Sequence, residues 1–315
     1  MRPVATFGRY LFARFGFPVR KIPLSIPGLT CPNIDGTLGR GGCTYCENES
    51  FSPNLKEKSR FFLSPKTLEN PLIERQIEAL TSQYLSTAKA LKKQGFRGFI
   101  AYFQSFSNTY APVETLKRLY ERALRLPGCV GLSIGTRADC ITQESLDYLA
   151  DLARRTELWV EIGVQSSHDK TLDLINRCER FEAVAQMIGR LRERNIRVCA
   201  HLIFGLPAED GAMMLETLRR VVALGVESIK IHPLYVVKNT ALAASLRAGG
   251  FEPMDEETYL ALVTRALAQL PEGIIVQRVS AGIDDESLLA PSWCRNKNRV
   301  MGKLRARLLK EGLNY

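Results

Sequence analysis

Residues 31–46 read CPNIDGTLGRGGCTYC, three cysteines spaced C-x11-C-x2-C in a loop that also holds Gly36, Gly39, Gly41 and Gly42. A closed structural zinc site uses four protein ligands, so three thiolates leave one coordination position of a metal centre open. Glycines let the backbone take unusual φ values and approach a compact inorganic group with its amides aimed at sulfur. Cys31, Cys43 and Cys46 therefore fit a cubane [4Fe-4S] cluster with one iron unligated by protein. A zinc site that borrows a distant fourth ligand is the alternative. The remaining cysteines form no further C-x2-C pair, so a second cluster and sulfur insertion are not expected. Cys129 and Cys199 read as small core hydrophobes, and Cys294 in PSWC is a candidate hydrogen-atom donor.

Other chemistry-bearing residues sit in short apolar runs. In LWVEIGVQ, period-two alternation puts Glu161, Gly163 and Gln165 on one face and Val160, Ile162 and Val164 on the other. A carboxylate on the inward face of a sheet needs a partner, and Arg137 or Lys230 is the expected one. In IRVCAHLIFG, His201 shares a face with Cys199 and Ile203; in VESIKIHPL, Lys230 shares one with His232. Two of the three histidines in the chain fall here, which makes Arg137, His201, Lys230, His232 and Cys294 the substrate-pocket candidates.

The elements that must position these residues alternate along the chain. Helix-forming residues at helical spacing span 65–94, 112–126, 142–155, 181–194 and 209–224, each followed by an apolar, strand-like stretch. With Lys21–Ser25 as the first strand this gives six βα units, hence right-handed crossovers and a parallel sheet that closes fully or partly into a (β/α)6 barrel. Near-continuous Val, Ile, Leu and Phe in the strands suits burial on both faces. Pro253 and the acidic residues 255–257 open a further helix, 273–279 offers one more strand, and PSWCRNKNRVMGKLRARLLK is a basic helix. The expected division is an N-terminal segment 1–20, a core barrel 21–251 and a helical, basic C-terminal extension 252–315. The cysteine loop follows the first strand, at the carboxyl end where parallel α/β folds place their chemistry.

At 315 residues and 45% hydrophobic content the chain can bury a large core. No apolar run approaches the roughly 18 residues that span a bilayer, and Arg9 and Arg14 interrupt the N-terminus before a signal core develops. A soluble, cytoplasmic protein without membrane partners is expected. The first 34 residues lack acidic groups, as an organelle-targeting peptide does, but Ser is scarce and a strand begins at Lys21. Eight unevenly spaced cysteines do not make a secreted disulfide framework.

The segment KIPLSIPGLTCPNIDGTLGRGGCTYC resembles the start of a radical S-adenosylmethionine (SAM) enzyme, in the YhcC-type branch with the widened cysteine motif. The likeness continues through YFQSFSNTYAP, SIGTRADC, VEIGVQSSHDKTLDLINR, HLIFGLP, IKIHPLYVVKNT and LLAPSWCRNK. It implies a partial barrel of the radical SAM type, in which the open iron binds SAM and an electron from the reduced cluster releases a 5′-deoxyadenosyl radical. A low-potential donor of flavodoxin or ferredoxin type would supply that electron. The resemblance further implies that Tyr45 lies near adenine, that Glu161 and Gln165 border SAM, and that Ile203 and Gly205 match the adenine-contacting strand and turn. His201 stands where glycine is common, which turns it toward substrate. The Gly-Gly-Glu turn of many members is missing, and Gln104 and Ser105 take its place as candidates for holding the methionyl amine.

The net charge is +10, and basic residues crowd both ends of the chain. Arg295, Arg299, Lys303, Arg305 and Arg307 are candidates for contacting a phosphate backbone. The branch also resembles the radical domain of the elongator catalytic subunit, which implies tRNA as partner and the wobble uridine or its side chain as target. Two other readings stand beside it: a radical SAM enzyme acting on a small metabolite or protein side chain, and a non-enzymatic zinc and RNA-binding module.

Overall fold

The computed structural model describes residues 1–48 and 61–315. Seven parallel strands pair in chain order: β1 (Val19–Leu24), β2 (Gly98–Phe103), β3 (Cys129–Thr136), β4 (Glu157–Gln165), β5 (Arg197–Phe204), β6 (Ser228–Pro233) and β7 (Ile275–Arg278). Sequential parallel pairing with a helix in each crossover curls the sheet into a half-barrel. The six expected strands are present within a residue or two, and β7 falls inside the seventh candidate stretch, so the sheet continues into the C-terminal region.

Helices cover the outer face. The longer ones are α2 (Ile73–Lys93), α3 (Val113–Leu124), α4 (Gln143–Arg155), α5 (Phe181–Glu193), α6 (Gly211–Ala223), α7 (Glu256–Gln269) and α8 (Lys297–Lys310), while α1 (Phe7–Phe15) closes one end. In α3, Leu116, Leu119, Tyr120 and Ala123 recur at helical spacing and are buried against the strands. Side-chain caps fix several starts: Thr142 accepts from Ser145 N at 3.1 Å, Asp210 from Met213 N at 2.9 Å and Asp255 from Thr258 N at 2.9 Å. The helix expected from residue 65 begins only at Ile73. Pro71 and a turn in which Asn70 Oδ1 accepts from Leu72 N at 2.9 Å hold the preceding residues out of it.

The two ends of the half-barrel differ. At the amino ends of the strands, α1 packs Phe7 and Tyr10 edge-on against Trp159, at 5.4 and 5.5 Å between ring centroids. Glu157 accepts from the Trp159 indole at 2.8 Å and from the Tyr10 hydroxyl at 2.7 Å, so this end is plugged. Across the open side, Lys21 on β1 reaches Gln277 on β7 at 2.5 Å, and Val276 N donates to Ala5 O at 2.7 Å. The carboxyl ends stay open and hold the site.

Candidate functional site

A cavity of about 670 Å3 lies inside the half-barrel at the carboxyl ends of the strands, and Cys31, Cys43 and Cys46 all line it. The loop that carries them is tied to the barrel by Thr44, whose amide donates to Ile175 O at 3.0 Å and whose carbonyl accepts from Leu242 N at 2.8 Å. Gly41 and Gly42 take φ of +79° and +78°, where a side chain would be strained. A Cβ at Gly39 would lie 2.1 Å from Asn33 Oδ1. Asn33 donates its Nδ2 to Asn176 O at 2.5 Å, and the same nitrogen lies 3.6 Å from Cys43 Sγ. Asn48 Nδ2 stands 3.6 Å from Cys46 Sγ, and an Arg177 guanidinium nitrogen 4.0 Å from Cys43 Sγ.

These donors face sulfur, as the surroundings of a cluster thiolate should. Burial pushes the Cys46 thiol far above its ordinary range, and the charges of Cys43 and Cys31 push it further. Three thiolates lining one cavity repel each other and lack solvent to spread their charge, and the iron of a cluster would balance them. The donor set therefore fits a [4Fe-4S] group held by Cys31, Cys43 and Cys46.

Below the cysteine loop the cavity floor is built on Glu161, which is 1% exposed. Its carboxylate accepts from Lys21, Lys230 and Ser133, and lies 2.6 Å from His201 Nε2. Burial alone would raise its pKa, but the two ammonium groups and His201 outweigh burial and hold it well below the usual carboxylate range. The expected partner Lys230 is present. Arg137 is not a partner, because it turns to Asp139 at 2.5 Å. Burial, with the neighbouring ammonium charge of Lys230, pushes His201 down to about 4, so the imidazole is neutral at pH 7 and donates its Nε2 proton to Glu161. Burial likewise lowers Lys230 to about 7. Burial, followed by the charge of Arg278, depresses His232, whose Nε2 is sealed from solvent without a hydrogen-bond partner.

The bulge between Gly163 and Gln165 re-aims the end of β4, and Gln165 takes a φ of +67°. Arg177 donates to Gly163 O at 2.6 Å and pairs with Glu179 at 2.8 Å. A Cβ at Gly163 would lie 2.7 Å from Gln165 Nε2, so a side chain there would push the Gln165 amide from its position. Tyr45, Gln104, Glu161, Gln165 and Ile203 all line the cavity with the cysteines, as do Arg137, His201 and His232.

Ser105, Gly205, Lys230 and Cys294 are not among the lining residues. The Ser105 hydroxyl lies 2.9 Å from that of Ser25 behind the wall. Gly205 forms a turn at φ +93°, Lys230 lies beneath Glu161, and Cys294 is fully buried. Arg295, Arg299, Lys303, Arg305 and Arg307 are outside the cavity, on or beside α8. Glu256 takes Arg299 at 3.1 Å and Lys303 at 2.8 Å, and Glu257 takes Arg307. Arg295 donates to the carbonyls of Asp285 and Leu288.

Asn33, Asn48, Lys21, Tyr102, Arg177, Arg278 and Lys297 also belong to the site or its support, and the sequence reading did not single them out. For Arg177 a signal existed, since it closes the quoted stretch DLINR. The others come from separate elements whose convergence no local pattern announces.

The family model for the Radical SAM superfamily matches residues 36–221, and that for the Radical_SAM C-terminal domain matches residues 226–310. The protein YhcC of Escherichia coli K12 is 36% identical over 311 residues, which cover 98% of this chain and 94% of that protein. A tRNA uridine(34) acetyltransferase of Methanocaldococcus infernus is 25% identical over 158 residues, 49% of this chain and 29% of that protein. Among solved structures, an archaeal Elp3 of Methanocaldococcus infernus superposes with a TM-score of 0.63 at 17% identity, over 93% of this chain and 64% of the other. No helix among the described residues is long and apolar enough to cross a membrane.

Proposed function

The chain belongs to the radical SAM superfamily, an enzyme family whose cofactors are a [4Fe-4S] cluster and SAM, and from that premise we propose that it modifies a tRNA base or its side chain, the wobble uridine foremost. The observation that carries the tRNA reading is the similarity of half of this chain to a tRNA uridine(34) acetyltransferase. The membership sets aside the zinc and RNA-binding module, which has no place for an enzyme.

Cys31, Cys43 and Cys46 would hold the cluster. When bound, the cluster would supply the one electron needed for reductive cleavage of SAM. The chain's own work is to bind, orient and keep out water. Arg177, Asn33 and Asn48 direct N–H groups at the thiolate sulfurs. Tyr45, Ile203 and Gln165 border the space for SAM, and the Glu161–His201 pair holds one proton between a neutral imidazole and a carboxylate at the cavity floor. The reductant such enzymes require would be a low-potential protein of flavodoxin or ferredoxin type.

One observation favours a second reading. Arg299, Lys303 and Arg307 already face Glu256 and Glu257, which lowers the charge that α8 offers a phosphate backbone and favours a small metabolite or protein side chain as substrate. Mass spectrometry of tRNA nucleosides from cells lacking the gene separates the two. Loss of a modified uridine is the expected result, and an unchanged nucleoside profile would leave the second reading in place.

A further inference from the structure

The cations of the cavity wall fall into two sets. Arg137 is balanced by Asp139 at 2.5 Å and Arg177 by Glu179 at 2.8 Å. Arg278, at the end of β7, and Lys297, at the start of α8, line the same cavity. Neither side chain makes an ion pair or hydrogen bond among the described residues. The charged groups that act on Lys297 are of its own sign: burial lowers its pKa, and Arg278 and Arg20 lower it further. The two carboxylates that line the cavity are taken. Glu161 holds Lys21 and Lys230, and Asp285 stands at the exposed rim, accepting from Ser287 N at 2.7 Å.

A half-buried guanidinium without a counter-charge gives up hydration for nothing in the empty protein. An oxyanion that entered would restore the balance, with the guanidinium fork matching its two oxygens. We propose that Arg278 and Lys297 form an oxyanion subsite of the substrate cavity, which holds a carboxylate or phosphate group of the molecule that is modified. The proposal rests on reading this cavity as the substrate cavity, and it narrows the substrate to an anion whether that substrate is a nucleotide or a metabolite.

The test uses anaerobically reconstituted protein saturated with SAM, titrated with inorganic phosphate followed by 31P line width and with acetate followed by saturation transfer. At least one probe should bind saturably, and Arg278→Gln with Lys297→Gln should weaken it by about ten-fold or more, equivalent to about 1.4 kcal/mol. Arg219→Gln with Arg265→Gln, exposed on α6 and α7 and outside the cavity, is the charge-matched control and should leave binding unchanged. Stronger phosphate binding assigns the group to a phosphate, and stronger acetate binding to a carboxylate. If the double variant does not fold, Lys297→Gln alone, at the rim, should still lower affinity several-fold. Saturable binding of neither probe, equal binding by the variants, or displacement of the probe by SAM would overturn the subsite. None of these results depends on 5′-deoxyadenosine formation or on tRNA binding, so the subsite and the functional reading fail separately.

Discussion

Glu161 shows how single residues set the chemistry of the cavity floor. Glu161→Gln would leave the Lys21 and Lys230 ammonium groups facing each other around a neutral amide, and breaking a buried pair from one side costs about 3–5 kcal/mol. Chemical denaturation of the apoprotein should report a loss of that order, with partial recovery on adding Lys230→Met. A change below about 1 kcal/mol would mean that the carboxylate is not holding those charges. His201 gives a pH dependence of definite sign. Its pKa in the folded chain is about 4, against 6.5 ordinarily, so between those values the unfolded chain binds the extra proton and acidification destabilises. Stability should rise with pH across that window and gain nothing more from this residue above it. His201→Gln should flatten this limb and leave the part due to Glu161, which is lost as pH falls below the ordinary carboxylate range. Of the floor, the period-two face of β4, His201 on β5 and the Lys230 partner were legible in the sequence. The choice of Lys230 over Arg137 was decided by Asp139, two residues from Arg137, which captures the guanidinium first.

At the scale of elements, the strands were legible because burial on both faces leaves continuous apolar runs, and the loop after β1 because its chemistry is local. The start of α2 was not, since Asn70 and Pro71 override the helical spacing of the residues before them. The role of α1 was hidden for another reason: Phe7 and Tyr10 find Trp159 across more than a hundred residues of sequence, and nothing local marks the plug. Phe7→Ala should cost about 3 kcal/mol, because it empties a site packed against Trp159 that cannot collapse around a rigid ring. A thermal melt measures this. Cluster content should stay unchanged, because the plug lies at the end of the strands remote from the cysteine loop. A variant that lost the cluster while keeping its melting temperature would contradict that separation of ends.

For the whole molecule, the sequence carried the net charge but not its arrangement. The basic run of α8 looked like free charge until α7 placed Glu256 and Glu257 against it. Exposed pairs of this kind are worth about 0–1 kcal/mol and yield to a competing phosphate, so the tRNA reading makes a definite prediction. Binding should weaken with salt at a log–log slope near 0.7 per phosphate neutralised, and replacing Arg299, Lys303, Arg305 and Arg307 together by Gln should flatten it. Salt-insensitive binding would favour the metabolite or protein substrate. Beneath either substrate lies the claim that three thiols at one end of the half-barrel hold a cluster that opens SAM, and one measurement addresses it most directly. Anaerobically reconstituted protein, reduced with dithionite in the presence of SAM, is assayed for 5′-deoxyadenosine beside the Cys31→Ala, Cys43→Ala, Cys46→Ala triple variant. The account predicts about four iron and four sulfide per chain, with 5′-deoxyadenosine formed by the native protein and neither cluster nor product in the variant. A fully loaded, reduced protein that formed no 5′-deoxyadenosine, with or without RNA, or a triple variant that kept its cluster, would contradict it.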